Sequence, residues 1–193
     1  MKDISFFNIV RYNDNLFEYP CVNPQTDYLS GKYVWVRCED EPNEMLKGVE
    51  MKGGSIMIIK SNEYIHNQPT PYAGIIFPPK ISEDSKNGYY EILNYYIKFS
   101  QMMVHKLCVF KPFSHLLFIL PPNSNECSMH LDRMAYFALS GLVQGLGKIY
   151  ASKGLFVNAL VLGDNTDKEL TTEWITFLIS NNSNNIVGQI ITL

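Results

Sequence analysis

His115-Leu116-Leu117-Phe118-Ile119-Leu120 and Leu155-Phe156-Val157-Asn158-Ala159-Leu160-Val161-Leu162 flank a stretch, about 131–152, in which Leu142, Leu146 and Ile149 recur in helical phase. Both flanking runs are apolar at successive positions rather than at alternate ones, the pattern of strands covered on both faces. Strand, helix and second buried strand predict a parallel pair joined by a helical crossover. Pro121-Pro122 closes the first strand and Gly154 terminates the helix.

The same grammar extends outward in both directions. Tyr33-Val34-Trp35-Val36 is a compact β-branched and aromatic run, and Ser55-Ile56-Met57-Ile58-Ile59 and Ala73-Gly74-Ile75-Ile76-Phe77 are two further buried-strand candidates. Pro42 followed by Glu44, Met45, Leu46 and Val49 predicts a short helix stopped by Gly53-Gly54. Between Asn87 and Cys108, residues Ile92, Tyr96, Phe99 and Met103 fall on one stripe of a long helix. A short helix from Trp174 to Ile179 and a last strand from Ile186 to Leu193 complete the series. At the amino end, Ile4 to Val10 reads as a strand leading into a surface-hugging arm that extends to residue 31. Strands alternating with helices predict an α/β fold, a parallel sheet between two helix layers, with residues 1–193 forming a single domain.

Composition narrows the function classes. Lys and Arg number 16 against 19 Asp and Glu, a formal charge of -3, with no basic run to meet phosphates, so nucleic acid is not the expected partner. Charged residues are only 18% of the chain against roughly 25% in an average soluble domain, and aromatics reach 13%, which points to a surface partly covered by another protein. Asp3 stands where a signal peptide wants positive charge, and no apolar run approaches the roughly 20 residues of a membrane span, so a cytoplasmic protein is expected. Cys21, Cys38, Cys108 and Cys127 form no CxxC pair and read as buried thiols; the histidines (His66, His105, His115, His130) have no metal-binding spacing.

The last third carries a family resemblance. Ala135-Tyr136-Phe137-Ala138-Leu139-Ser140-Gly141-Leu142-Val143-Gln144-Gly145-Leu146, then Gly154 to Leu160, then Phe177-Leu178-Ile179-Ser180 and Ile186-Val187-Gly188-Gln189-Ile190-Ile191, resemble in order and spacing the C-terminal half of a short-chain dehydrogenase/reductase. The resemblance is greatest to the β-ketoacyl-carrier-protein reductase branch; it is fullest over residues 131–193 and extends back to about residue 72. It implies a three-layer Rossmann-type, doubly wound parallel sheet in truncated form. It also implies dimerisation through the helices at 88–108 and 131–152.

In that family a Tyr protonates the carbonyl oxygen, and a Lys four residues later lowers the Tyr pKa from roughly 10 and holds the nicotinamide ribose. Tyr136 matches the Tyr, but Ser140 occupies the Lys position, and Lys148 and Lys153 follow 12 and 17 residues after Tyr136. Where the family carries its catalytic Ser there is Pro121-Pro122, with Ser124 and Ser128 in the loop beyond. Where a Gly-rich turn would meet the pyrophosphate there is Arg37-Cys38-Glu39-Asp40-Glu41-Pro42, whose acids repel it. Pro78-Pro79-Lys80 replaces the family's Asn-Ala-Gly element, and about ten residues between Gly163 and Trp174 leave little room for a substrate lid.

Tyr136 is therefore a vestigial match packed on its helix, and Gly74 and Gly163 serve turns. Gly141, Gly145 and Gly147 on one helix imply close approach either of another helix or of this chain's own sheet. The leading expectation is a catalytically degenerate dimer partner or scaffold subunit. It would pair with itself or with a related reductase subunit in a carrier-protein-linked fatty acid or polyketide pathway, and bind no cofactor. The alternative is an NAD(P)-dependent oxidoreductase of 3-oxoacyl-carrier-protein reductase type with an atypical site, using NADPH or NADH. A third reading keeps the crevice at the strands' carboxyl ends for another ligand.

Overall fold

The computed structural model describes residues 29–39, 43–60, 68–79, 88–110, 113–120, 129–163 and 166–193. In chain order the elements are β1 Tyr33–Arg37, α1 Asn43–Met51, β2 Ser55–Ile58, β3 Ala73–Ile76, α2 Gly88–Phe110, β4 Ser114–Leu120, α3 Met129–Tyr150, β5 Leu155–Val161, α4 Lys168–Leu178 and β6 Ile190–Thr192. The six strands form one sheet in the order β2-β1-β3-β4-β5-β6, and every neighbouring pair is parallel. The chain steps outward from β1 to β2, then returns to the far side of β1 to lay down β3 and the rest. That reversal makes the sheet doubly wound, with its switch point between β1 and β3.

A parallel sheet buries both faces, and the pleat shows how. Leu116, Phe118 and Leu120 of β4 face one core, with Ile92, Tyr96, Phe99 and Met103 of α2 and Ala135, Leu139 and Val143 of α3. Leu117 and Ile119 point the other way, against Leu46 and Val49 of α1 and Ile175 and Leu178 of α4. The continuous apolar runs are thus required by two helix layers, not by one. The predicted α2 stripe is buried as read.

Five details differ from the sequence expectation. The buried stripe of α3 is Ala135, Leu139 and Val143, whereas Leu142 and Leu146 are half-buried and Ile149 is 61% exposed. Small residues, Ala135 and Gly147, hold part of that face beside Leu139 and Val143, and a search for large apolar residues lands one position away. The predicted doubly covered strand at 55–59 is β2, an edge strand whose Ile56, Met57 and Ile58 are only half-buried. α4 begins at Lys168, well before Trp174, because the Asp167 side chain caps it by accepting the Glu169 N–H at 2.8 Å. β6 is confined to Ile190–Thr192; Ile186 to Gln189 form the loop leading into it. Gly74 serves no turn: it lies mid-strand in β3 beneath α2, where a methyl group would stand 3.0 Å from Met103 Sδ.

The predicted strand at Ile4 to Val10 and the arm that follows lie outside the described residues up to 28, as do Cys21, Cys127, Ser124, Ser128, Pro121-Pro122 and Lys80. Among the remaining thiols Cys38 is buried and Cys108 half-buried, as expected for small apolar residues.

Candidate functional site

The doubly wound topology puts any ligand crevice outside the carboxyl ends of β1 and β3. β1 does not end there in a glycine turn. Its last residues keep pairing: Ile59 N–H donates to Val36 O and Phe77 N–H donates to Arg37 O, both at 2.8 Å. The Arg37 side chain then turns toward the α2 layer. Its Nη1 donates to Ile59 O at 2.8 Å and to Lys60 O, and its guanidinium stacks 4.0 Å above the Phe99 ring and 5.1 Å from the Tyr95 ring. A cation and two aromatic rings of α2 thus crowd the β1 terminus. Glu39 is exposed there; Asp40 and Glu41 lie outside the described residues.

Tyr136 lies in the first half of α3, packed against the α2/α3 core, with its ring edge-on to Phe137 at 5.8 Å. One helical turn later the Ser140 hydroxyl is buried without a hydrogen-bond partner among the described residues. Ser140 brings no cation to the phenol, so the Tyr-Lys couple of the family is not reconstituted at this position. Lys148 stands twelve residues on, about 18 Å along the helix axis at ~1.5 Å per residue, and Lys153 lies over the Tyr150 ring at 5.0 Å. The structure does not bring either lysine to Tyr136. Among the described residues no three His, Cys, Asp or Glu side chains converge to hold a metal ion.

The motif residues of the C-terminal third have structural work instead. Asn158, in the middle of β5 and buried, donates from Nδ2 to Ile186 O at 2.8 Å and accepts the Gln189 N–H at 3.1 Å. It therefore pins both ends of the loop before β6. Gly188, at φ 67°, donates its N–H to Val157 O at 2.7 Å and places its backbone against Gly147 of α3.

The three glycines of α3 divide. A methyl at Gly147 would meet the Gly188 nitrogen at 2.8 Å, so that position serves this chain's own packing. At Gly141 and Gly145 no described residue lies within 4 Å of where a methyl group would stand. Those two bare positions lie on the outer side of α3 among exposed Met134, Phe137 and Ile149.

His115 carries a role that its sequence neighbours gave no sign of. It is fully buried at the start of β4, between the rings of Tyr72 and Phe156 at 5.5 and 5.4 Å, with Nδ1 at 3.5 Å from Ser183 Oγ. Burial, and then the nearby Lys32 charge, push its pKa down to about 3, so the imidazole is neutral. Tyr72 beside it is pushed up to about 12 by burial and donates its hydroxyl to Asn181 Oδ1 at 2.7 Å. This cluster lies at the amino ends of the strands, opposite the crevice. The only signal in the sequence was a histidine inside an otherwise apolar strand.

No protein-family model matches the sequence, and no curated protein matches it. Solved structures do. A Serratia marcescens short-chain dehydrogenase/reductase double mutant shares 12% identity over 86% of this chain and 96% of its own, with a TM-score of 0.71. The enoyl-[acyl-carrier-protein] reductase (NADH) of Aquifex aeolicus VF5 shares 12% identity over 86% and 95%, at 0.70. A Brucella ovis oxidoreductase (short chain dehydrogenase/reductase) shares 12% over 84% and 99%, at 0.64. At that identity the likeness is one of architecture: the chain has the fold of short-chain dehydrogenase/reductase structures across most of its length. No helix among the described residues is long and apolar enough to cross a membrane.

Proposed function

We propose that this chain is a catalytically degenerate relative of the short-chain reductases that works as a protein partner, pairing with itself or with a related reductase subunit through α2 and α3. One observation carries the reading: among the described residues nothing covers Gly141 and Gly145 on the outer side of α3, where they are framed by Met134, Phe137 and Ile149. A glycine in a helix interior costs about 1 kcal/mol relative to alanine, and no described residue of this chain packs against these two. A second helix can approach a bare backbone closely, within the roughly 8–10 Å of ordinary helix packing. Exposed Tyr90 at the start of α2 adds to the apolar surface of the same layer.

The degenerate chemistry supports the same reading. Ser140 replaces the cation beside Tyr136, and Arg37 with its aromatic neighbours replaces the glycine turn at β1. The Aquifex aeolicus VF5 neighbour is named as an acyl-carrier-protein reductase, which favours a partner in carrier-protein-linked fatty acid or polyketide chemistry.

Sedimentation equilibrium of the 193-residue chain, alone and co-expressed with the reductases of its own organism, tests the pairing. A dimer, or a co-purified reductase, is the expected result, and Gly145→Arg disperses it; a lone monomer under both conditions overturns it. Calorimetric titration with NADPH and NADH tests the degeneracy. No binding at millimolar cofactor is expected, whereas micromolar binding transfers the assignment to an NAD(P)-dependent oxidoreductase that uses Tyr136.

A further inference from the structure

We propose that α3 pairs with α3 of a second copy about a two-fold axis through Gly141, each Phe137 seated on the bare Gly145 of the other chain. This rests on the pairing reading above and fixes its occupant, its register and its central contact.

The spacing of residues along α3 carries it. Phe137 and Gly145 lie four residues to either side of Gly141. With 3.6 residues per turn, each stands about 6 Å along the axis from Gly141 and about 40° round it, on opposite sides. A two-fold axis perpendicular to the helix reverses both displacements. It therefore lays Phe137 over the partner's Gly145, and the same contact recurs on the other side of the axis. The two positions are opposite in size. Phe137 is 70% exposed, the most exposed large apolar side chain of α3, and no described residue stands within 4 Å of a methyl group at Gly145. A projecting ring and a notch without a side chain form a knob and a hole, made twice in one isologous interface. At the axis itself Gly141 meets its own copy, where glycine backbone lets the helices close on each other.

The next pair outward agrees. Met134 and Lys148 lie seven residues to either side of Gly141, so the same operation sets exposed Met134 along the aliphatic stem of the partner's Lys148. Lys148 is the only charged residue of α3 from Met134 to Tyr150. The two copies of position 148 stand about 21 Å apart along the axis, beyond the roughly 8 Å screening length at physiological salt. A second copy is thus the partner this face fits. One chain supplies both knob and hole, and the symmetry brings no like charges of this stretch together.

Sedimentation equilibrium of the 193-residue chain and three variants is the test. Phe137→Ala and Gly145→Phe are each expected to weaken the dimer at least tenfold. The double variant Phe137→Ala/Gly145→Phe moves the knob to the other side of the same contact and is expected to return to within threefold of the wild type. Gly145→Phe points outward, so its monomer keeps the far-ultraviolet circular dichroism of the wild type. Gly141→Cys tests the register without added bulk: oxidation is expected to give a dimer whose disulfide maps to position 141 by peptide mass. A dimer with no recovery in the double variant, or with no disulfide at position 141, overturns this register while the pairing reading stands. A chain that is monomeric alone but retained by a reductase overturns the homotypic contact and leaves the reductase partner. A monomer under both conditions overturns the pairing reading itself.

Discussion

Gly147 of α3 lies against the backbone of Gly188: a methyl group at position 147 would stand 2.8 Å from the Gly188 nitrogen and 2.9 Å from its Cα. The helix and the loop before β6 are therefore fitted to each other at the level of main chain. Neither can yield cheaply, since Gly188 is also tied to Val157 O at 2.7 Å. Gly147→Ala is expected to destabilise the fold by about 1–3 kcal/mol through overpacking. Gly145→Ala, facing open space, is expected to stabilise the monomer by up to about 1 kcal/mol from helix propensity alone. Urea unfolding at low protein concentration separates the two; equal effects would mean that the helix does not contact the loop.

The sequence announced the sheet clearly because both faces of each inner strand are apolar, so runs such as Leu116 to Leu120 need no alternation to be recognised. It announced α2 for the opposite reason: Ile92, Tyr96, Phe99 and Met103 form a single stripe of large side chains. It misled on α3, where Ala135 and Gly147 carry part of the buried face and hydrophobicity follows size. The start of α4 was hidden by Lys168, Glu169, Thr171 and Thr172, polar residues whose helix is set by the Asp167 cap. The candidate site was half legible. The missing glycines and the Ser140 substitution are local and visible in one line of sequence. The stacking of Arg37 on Phe99 joins residues 62 positions apart and needed the fold.

Asn158 provides a second test of how the C-terminal motif works. Its amide serves Ile186 O at 2.8 Å and the Gln189 N–H at 3.1 Å inside the core. Asn158→Ala leaves a buried carbonyl and a partly buried N–H unpaired, at about 1–3 kcal/mol each. The expected outcome is a loss of about 2–4 kcal/mol, with the Gln189 amide exchanging faster than those of β4. A loss confined to global unfolding, with Gln189 protected as before, would show that the loop holds itself.

α1 and α4 cross at Gly48, where a methyl group would run into Thr172 Cγ2 and stand 2.6 Å from Thr176 Oγ1. Thr176 is not free to turn away, because its hydroxyl donates to Thr172 O at 2.6 Å. Gly48→Ala is expected to cost about 1–3 kcal/mol despite the better helix propensity of alanine. The exposed pair of Lys168 and Glu44 bridges the same two helices. Lys168→Ala is expected to leave the thermal midpoint unchanged, since solvent screens such pairs. A larger effect from Lys168→Ala than from Gly48→Ala would place the energy of this contact in the ion pair.

His115 makes stability depend on pH in a defined window. An unfolded histidine takes up a proton as pH falls through about 6.5, whereas burial holds the folded imidazole down to about 3. Between those values the unfolded chain binds more protons than the folded one, so stability falls as pH falls, and the contribution is complete above about 6.5. The full loss by pH 3 is on the order of 4 kcal/mol. Carboxylates titrate in the lower part of the same window, which makes the comparison with a variant decisive. His115→Phe, seated between Tyr72 and Phe156, removes the titrating group while keeping the ring contacts. Urea midpoints measured from pH 7.5 to 5 are expected to slope for the wild type and to stay nearly level for His115→Phe. Parallel slopes would mean that the imidazole becomes charged within the folded protein and finds an acceptor that its buried Nε2 now lacks.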